Sequence, residues 1–229
     1  MHLTRRGLQG LYAALHRAYG PQHWWRAETP FEMMAGAVLV QNTNWQHAAR
    51  PAVAALKEAR LLSPAKIAAL PSARLASTIR SSGTHRVKAK RLKALSRWLL
   101  ERGGVAKAGR LETDALRSSL LAVHGIGPET ADCILVYVFE RPVFIADAYA
   151  RRLFGRLEFG LKPGGYEPVR RQVEAVAGMG AAAYNEFHAL IVRHAKVLCR
   201  AKPLCAECPL RRGCAYGRRH AGFKAGSAL

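Results

Sequence analysis

Leu121-Ala122-Val123-His124-Gly125-Ile126-Gly127-Pro128-Glu129-Thr130-Ala131-Asp132 is the stretch that decides the fold. An apolar helix ends at Val123, a Gly-x-Gly turn follows, and Pro128 opens a new helix at the position where its missing N–H is least felt. Gly125 and Gly127 let the backbone approach a ligand closely and adopt positive φ. The second helix begins with unbonded amides and the positive end of a dipole, and together these bind phosphate. A plain helix–helix turn has the same local pattern, so the meaning of the motif rests on its surroundings.

Those surroundings are helical throughout. Leu8, Leu11, Tyr12, Leu15 and Tyr19 mark one face of an amphipathic helix. Thr29-Pro30-Phe31-Glu32 is a helix start, with Thr as cap, Pro in the first turn and Glu placed for a capping box. The helix it opens, through Val40, is apolar nearly all round and is expected to be buried. Thr43 with Gln46 reads as a second capping box, which leaves Gln41 and Asn42 at a sharp junction. Ser63-Pro64 and Pro71-Ser72 start two short helices, and Ser81-Ser82-Gly83 interrupts the chain before a longer one over 86–102. Gly103-Gly104 ends that helix and Thr113-Asp114 caps the next. Val143-Phe144-Ile145 is β-like but too short and isolated to build a sheet. The expected class is all-α.

Charge narrows the partner. The chain carries 36 Lys+Arg against 15 Asp+Glu, a formal +21 on 229 residues. Such an excess repels itself and is most simply explained by a polyanion. No long uncharged apolar segment exists, so a bilayer-spanning protein is excluded. Met1-His2-Leu3-Thr4-Arg5-Arg6 leads into no apolar signal core, and the expectation is a monomeric, cytoplasmic, nucleoid-associated protein. The basic stretch 216–229 is expected to fray.

Cys199, Cys205, Cys208 and Cys214 follow the pattern C-x5-C-x2-C-x5-C. Four thiolates this close can enclose one soft metal centre, either zinc or an iron–sulfur cluster. Zinc sites usually pair closely spaced cysteines twice, and here Cys205 and Cys208 are the single close pair. A [4Fe–4S] cluster is therefore favoured. Arg200, Lys202, Arg211 and Arg212 fringe the loop and point it toward phosphate. Cys133 falls in an apolar helical run and reads as core.

The hairpin, an Asp eighteen residues after Glu129, and the C-terminal cysteine loop together resemble the endonuclease III superfamily of helix–hairpin–helix DNA glycosylases. Leu39-Val40-Gln41-Asn42-Thr43, Pro142-Val143-Phe144-Ile145-Ala146-Asp147-Ala148-Tyr149, and the run from His188 to His194 leading into Cys199 extend the likeness over most of 31–214. The fold it implies is a six-helix barrel over 30–141, beside a helical domain formed by 1–29 and 142–229 that carries the cluster. It further implies that double-stranded DNA containing a damaged base binds between the two.

The resemblance also assigns roles. Asp147 is the matching catalytic carboxylate, although an Asp before a helix is by itself an ordinary N-cap. Breaking a C1′–N bond builds positive charge on the sugar, which a carboxylate stabilises. Gln41 matches the residue that fills the gap left by the extruded nucleotide. Thr84 or His85 occupies the loop that carries a second, apolar wedge in relatives, and neither is apolar. The hairpin residues His124, Gly125, Ile126 and Gly127, with Lys88 and Arg91 (and Lys90 and Lys93 beside them), would hold phosphates. Glu129 stands where bifunctional members carry the Schiff-base lysine; a carboxylate forms no imine, so water is the expected nucleophile, with little strand nicking. Asn42-Thr43-Asn44-Trp45, with Trp24 and Trp25 upstream, resembles the branch that removes 3-methyladenine, whose cationic base suits stacking on indole. Core packing is the plainer account of Trp45. Oxidised pyrimidines or mismatched uracil or thymine form the alternative substrate class, and a non-catalytic DNA-binding module the alternative function.

Overall fold

In the computed structural model, residues 3–24, 27–161 and 164–220 are described. Trp25 and residues 221–229 lie outside them. The chain divides into two compact units, Trp25–Arg141 and Met1–Trp24 with Pro142–Leu229. Helices in chain order are α1 (Arg5–Tyr19), α2 (Pro30–Leu39), α3 (Arg50–Glu58), α4 (Pro64–Ala69), α5 (Ser72–Thr78), α6 (His85–Glu101), α7 (Val105–Ala108), α8 (Thr113–Leu121), α9 (Pro128–Tyr137), α10 (Ala148–Leu157), α11 (Tyr166–Ala177), α12 (Ala181–Val197) and α13 (Ala215–His220). A π-helical turn, Trp45–Ala49, precedes α3. No strand occurs among the described residues, so the protein is all-α as its periodicity implies.

In the unit formed by α2 to α9, the core is built on the helix with the fewest polar positions. Phe31, Met33, Met34, Ala35, Ala37, Val38 and Leu39 of α2 are all buried. Thr29 Oγ1 accepts from Glu32 N at 3.1 Å, as the capping box requires. The Glu32 carboxylate does not return to Thr29; it accepts from Glu28 N at 3.1 Å and pairs with Lys57 at 2.9 Å. α2 packs against α9, whose Ala131, Ile134, Leu135 and Val136 are buried too. The second box is displaced by one residue: Asn44, not Thr43, caps the following turn, its Oδ1 accepting from His47 N at 3.1 Å. Asparagine caps helices at least as well as threonine, its Oδ1 reaching the amide two to three residues on. Similarly α8 begins at Thr113, with Glu112 as a cap that makes no side-chain bond. Cys133 is half-buried rather than fully core.

The other unit packs α1 against α11 and α12, and α10 against α12 and α13. Leu8, Leu11 and Leu15 form the buried face of α1. They meet an aromatic cluster in which Phe144 stacks on Phe154 with centroids 5.6 Å apart. Val143, Phe144 and Ile145 are extended and buried, with Phe144 N–H donating to Glu174 at 2.9 Å instead of to a neighbouring strand. At the start of the stretch expected to fray, Ala215–His220 forms α13, with Ala215 and Gly217 buried; the rest of that stretch, 221–229, lies outside the described residues.

Candidate active site and nucleic-acid interface

Asp147 ends the extended run and caps α10, and the two oxygens of its carboxylate are used differently. Oδ1 accepts from Ala150 N at 2.7 Å. Oδ2 faces His188 Nε2 of α12 at 3.4 Å, at the long limit of a hydrogen bond. The residue is 6% exposed. Lys196, two turns beyond His188 on α12, is exposed by its surface area; partial desolvation lowers its pKa, an effect the negative charge of Asp147 opposes. Its ammonium lies 5.6 Å from the centroid of the Trp24 ring. Trp24 thus already has a cation of its own chain on its indole. A carboxylate so held is oriented by the helix start and kept largely from water, and it is fit to stabilise a developing sugar cation or to take a proton from water. In the sequence His188 is only the first residue of a run that extends the family likeness, without a role of its own, and Lys196 is not named; their place near Asp147 comes from α10 packing on α12.

In the other unit the hairpin has the anticipated shape. α8 ends at Leu121, Gly125 adopts φ of +81°, and Pro128 occupies the first turn of α9. The N-cap, Gly127, has no side chain to cap α9, so the first-turn amides stand at the positive end of the helix. A β-carbon on Gly127 would meet nothing within 4 Å, which leaves the approach to these amides clear. Arg117 of α8 grips Asp132 of α9 at 2.6 and 3.1 Å, and this buried pair fixes the two hairpin helices together. His124 and Glu129 are exposed. Ile126, in contrast, is 4% exposed and belongs to the core, so its side chain is unavailable to a ligand.

One of the expected phosphate contacts is corrected, and two others, Arg91 and Lys93, are engaged within the protein. Lys88 is 1% exposed, and its ammonium donates to Leu39 O at 2.7 Å and Ser82 O at 2.6 Å. Burial, and secondarily the Arg91 charge, lowers its pKa. It ties α6 to the end of α2 and is a structural residue, not a phosphate contact. Arg91 donates to Gln41 Oε1 at 2.6 Å rather than pointing away from the protein. Lys93 donates to Leu70 O. Lys90 is exposed, and with Arg80, Thr84, His85, Arg86 and Val87 it lines a groove at the start of α6. Thr84 is exposed there, and His85 Nδ1 lies 2.8 Å from Gly83 O. Val87, not named from the sequence, is the apolar side chain this turn exposes, at 43%.

Gln41 and Asn42 do sit at a sharp junction. Asn42 is exposed with φ of +52°, a conformation asparagine tolerates better than most residues. Its backbone therefore accounts for its identity without a base contact. Trp45 is half-buried in the π-helical turn of the same unit. Trp24 belongs to the other unit.

The four cysteines line one pocket with Leu153, Arg156 and Leu157, and none is in a disulfide. Arg156 of α10 donates to Cys199 Sγ at 3.2 Å and to the carbonyls of Cys199, Arg200 and Ala201 at 3.1, 2.6 and 2.9 Å. Gly217 N donates to Cys214 Sγ at 3.3 Å. The Cys208 thiol is pushed up to about 11, chiefly by burial and further by its neighbours Cys199, Cys214 and Cys205. It lies 3.8 Å from Nε2 of His194, whose Nδ1 is 2.7 Å from the Tyr19 hydroxyl. Burial lowers His194 to about 4, so this imidazole is neutral. Among the described residues no three His, Cys, Asp or Glu side chains converge on a point that would hold a single metal ion.

The sequence of 35–177 matches the model of the HhH-GPD superfamily of base excision DNA repair proteins. The chain belongs to that superfamily. An inferred DNA repair glycosylase of Methanocaldococcus jannaschii is 39% identical over 188 residues, covering 80% of this chain and 84% of that protein. Among solved structures, the 3-methyladenine DNA glycosylase of H. pylori bound to 1,N6-ethenoadenine is 28% identical. It has a TM-score of 0.72, with 86% of this chain and 98% of that one covered. A non-covalent endonuclease III–DNA complex aligns with a TM-score of 0.75 at 21% identity, over 95% and 98% of the two chains, and shows the shared fold. The all-α architecture is thus that of the helix–hairpin–helix glycosylases, and the protein is a base excision repair DNA glycosylase.

Proposed function

We propose that this glycosylase hydrolyses the N-glycosidic bond of an alkylated base of the 3-methyladenine kind in double-stranded DNA, using water and leaving the abasic strand intact. The carrying observation is Asp147, buried at the start of α10 with Oδ1 tied to Ala150 N and Oδ2 directed at His188. Oδ1 is spent on orientation, and the charge remains to oppose the cation that develops on the sugar. His188 holds the carboxylate in place from α12. Glu129 supports the hydrolytic course, because it is exposed on the hairpin helix where relatives that nick DNA present an amine. An alkylated purine leaves as a stable neutral base, so its departure needs no strong acid at the site. The likeness to the H. pylori 3-methyladenine glycosylase supports this substrate class.

DNA would be held by the uncapped start of α9 and by exposed cations such as Lys90, Arg200, Lys202, Arg211 and Arg212. Four sulfur donors lining one pocket support a multi-atom iron–sulfur cluster over a single ion. Cys199, Cys205, Cys208 and Cys214 would hold a [4Fe–4S] cluster, with Arg156 donating to the Cys199 sulfur. Bound there, the cluster would brace the loop as a rigid basic surface. The test is incubation with oligonucleotides bearing single defined lesions, with and without alkali. Release of 3-methyladenine with strand cleavage confined to the alkali-treated sample supports the reading. Release of thymine glycol without release of alkylated purines refutes the substrate class.

A further inference from the structure

The side-chain amide of Gln41 is engaged at both ends within its own unit. Nε2 donates to Gly125 O at 3.1 Å and to Thr130 Oγ1 at 2.9 Å, while Oε1 accepts from Arg91 at 2.6 Å. Both amide hydrogens are therefore spent on the hairpin. Arg91 reaches Gln41 by crossing Gly125, where a β-carbon would overlap Arg91 Cγ, Cδ and Nε. Gly125 thus has a second reason to be glycine, besides φ of +81°: it is the notch through which Arg91 passes. Thr130, on the first turn of α9, is buried. A glutamine that fills a vacated position in a duplex must offer its amide to the orphaned base, so insertion requires these three bonds to break.

We infer that Arg91, the Gly125 carbonyl and Thr130 form a latch that keeps Gln41 against the hairpin until DNA is gripped. The inference rests on the reading of Gln41 as the gap-filling residue. The release signal is chemical. A guanidinium binds an anionic phosphate oxygen more strongly than a neutral amide carbonyl, and Arg91 lies across the hairpin at Gly125, where a phosphate would be gripped. Phosphate seated there draws Arg91 from Oε1. The two Nε2 bonds are neutral pairings that exchange readily for base edges. Gripping the backbone thereby licenses wedging, and extrusion of bases from DNA that is not yet gripped is suppressed.

The experiment places 2-aminopurine beside the target position, in an undamaged duplex and in one carrying a tetrahydrofuran abasic analogue. Its fluorescence reports unstacking with the full-length protein. Thr130→Val keeps shape and charge but removes one acceptor, and Arg91→Ala removes the guanidinium. Both raise unstacking in the undamaged duplex, by about tenfold for Arg91→Ala, which loses a charge-assisted bond. Both also narrow the contrast between the two duplexes. Unchanged or reduced unstacking in both variants, at wild-type melting temperatures, overturns the latch. So does an Arg91→Ala variant that only flattens the salt dependence of affinity by about one counterion, since Arg91 is then a plain phosphate contact. Gln41→Ala separates the premise from the latch: wild-type unstacking in the abasic duplex with that variant shows that Gln41 fills no gap.

Discussion

Replacing Asp147 by asparagine separates catalysis from capping, because the two carboxylate oxygens have different partners. Oδ1 accepts from Ala150 N at 2.7 Å, and the amide oxygen of asparagine takes over that bond, since Asn and Asp cap helices about equally well. What is lost in folding is the interaction of one charge with the start of α10, about 0.3–1 kcal/mol. What is lost in the reaction is far larger. One preorganised electrostatic group contributes roughly 10²–10³ in rate, and a general base contributes roughly 10²–10⁴. If Asp147 serves both purposes, the variant falls by about 10³ or more. The assay is single-turnover release of 3-methyladenine from alkylated duplex, run beside thermal melting and fluorescence anisotropy on the same samples. The expected result is base release down by that factor, melting lowered by a few degrees at most, and DNA affinity retained. Asp147→Ala adds loss of the cap, about 1 kcal/mol, with no further loss of rate. Base release within about tenfold of wild type in Asp147→Asn, or a melting drop large enough to account for the lost activity, would refute the catalytic role and leave Asp147 as a cap.

Lys88→Met leaves Leu39 O and Ser82 O without their buried donor, so stability falls by roughly 1–3 kcal/mol, while the salt dependence of DNA affinity stays at the wild-type slope; a flattened slope in equilibrium titrations would put Lys88 back at the phosphates. The purified protein absorbs broadly near ~400 nm and holds about four irons, and Cys208→Ser loses both; stoichiometric zinc by metal analysis would remove the cluster. Borohydride added during reaction with alkylated duplex traps no covalent adduct on a denaturing gel, because Glu129 offers no amine; a trapped band would show that another lysine, with Lys196 the first to test, attacks the sugar. Asp132→Ala removes the carboxylate that Arg117 of α8 grips and lowers the urea midpoint with loss of DNA binding, whereas a wild-type midpoint would show that the pair does not hold the hairpin.

The helices were legible in the sequence because their signals are local. The apolar spacing of Leu8, Leu11 and Leu15, the Thr29-Pro30 start and the Gly125-x-Gly127 turn each act within one or two turns of chain, and each appears where it was expected. The cap that moved from Thr43 to Asn44 is an error of the same short range, settled by which acceptor reaches His47 N. Asp147 is visible as a cap from its place before α10, and its proposed catalytic role comes from a match to a family. Tertiary structure decided the side chains whose partners are remote. Lys88 is expected at the phosphates with its basic neighbours, yet its ammonium satisfies a carbonyl 49 residues away. Ile126, apolar inside a surface turn, points into the core. Gln41 is held by groups 50, 84 and 89 residues distant, and His188 meets Asp147 across 41. Local backbone preferences follow from covalent geometry and hydrogen bonding between near neighbours, which a sequence displays directly. Whether a charge is buried, and what it touches there, depends on which helices pack together, and that is written in no single stretch of the chain.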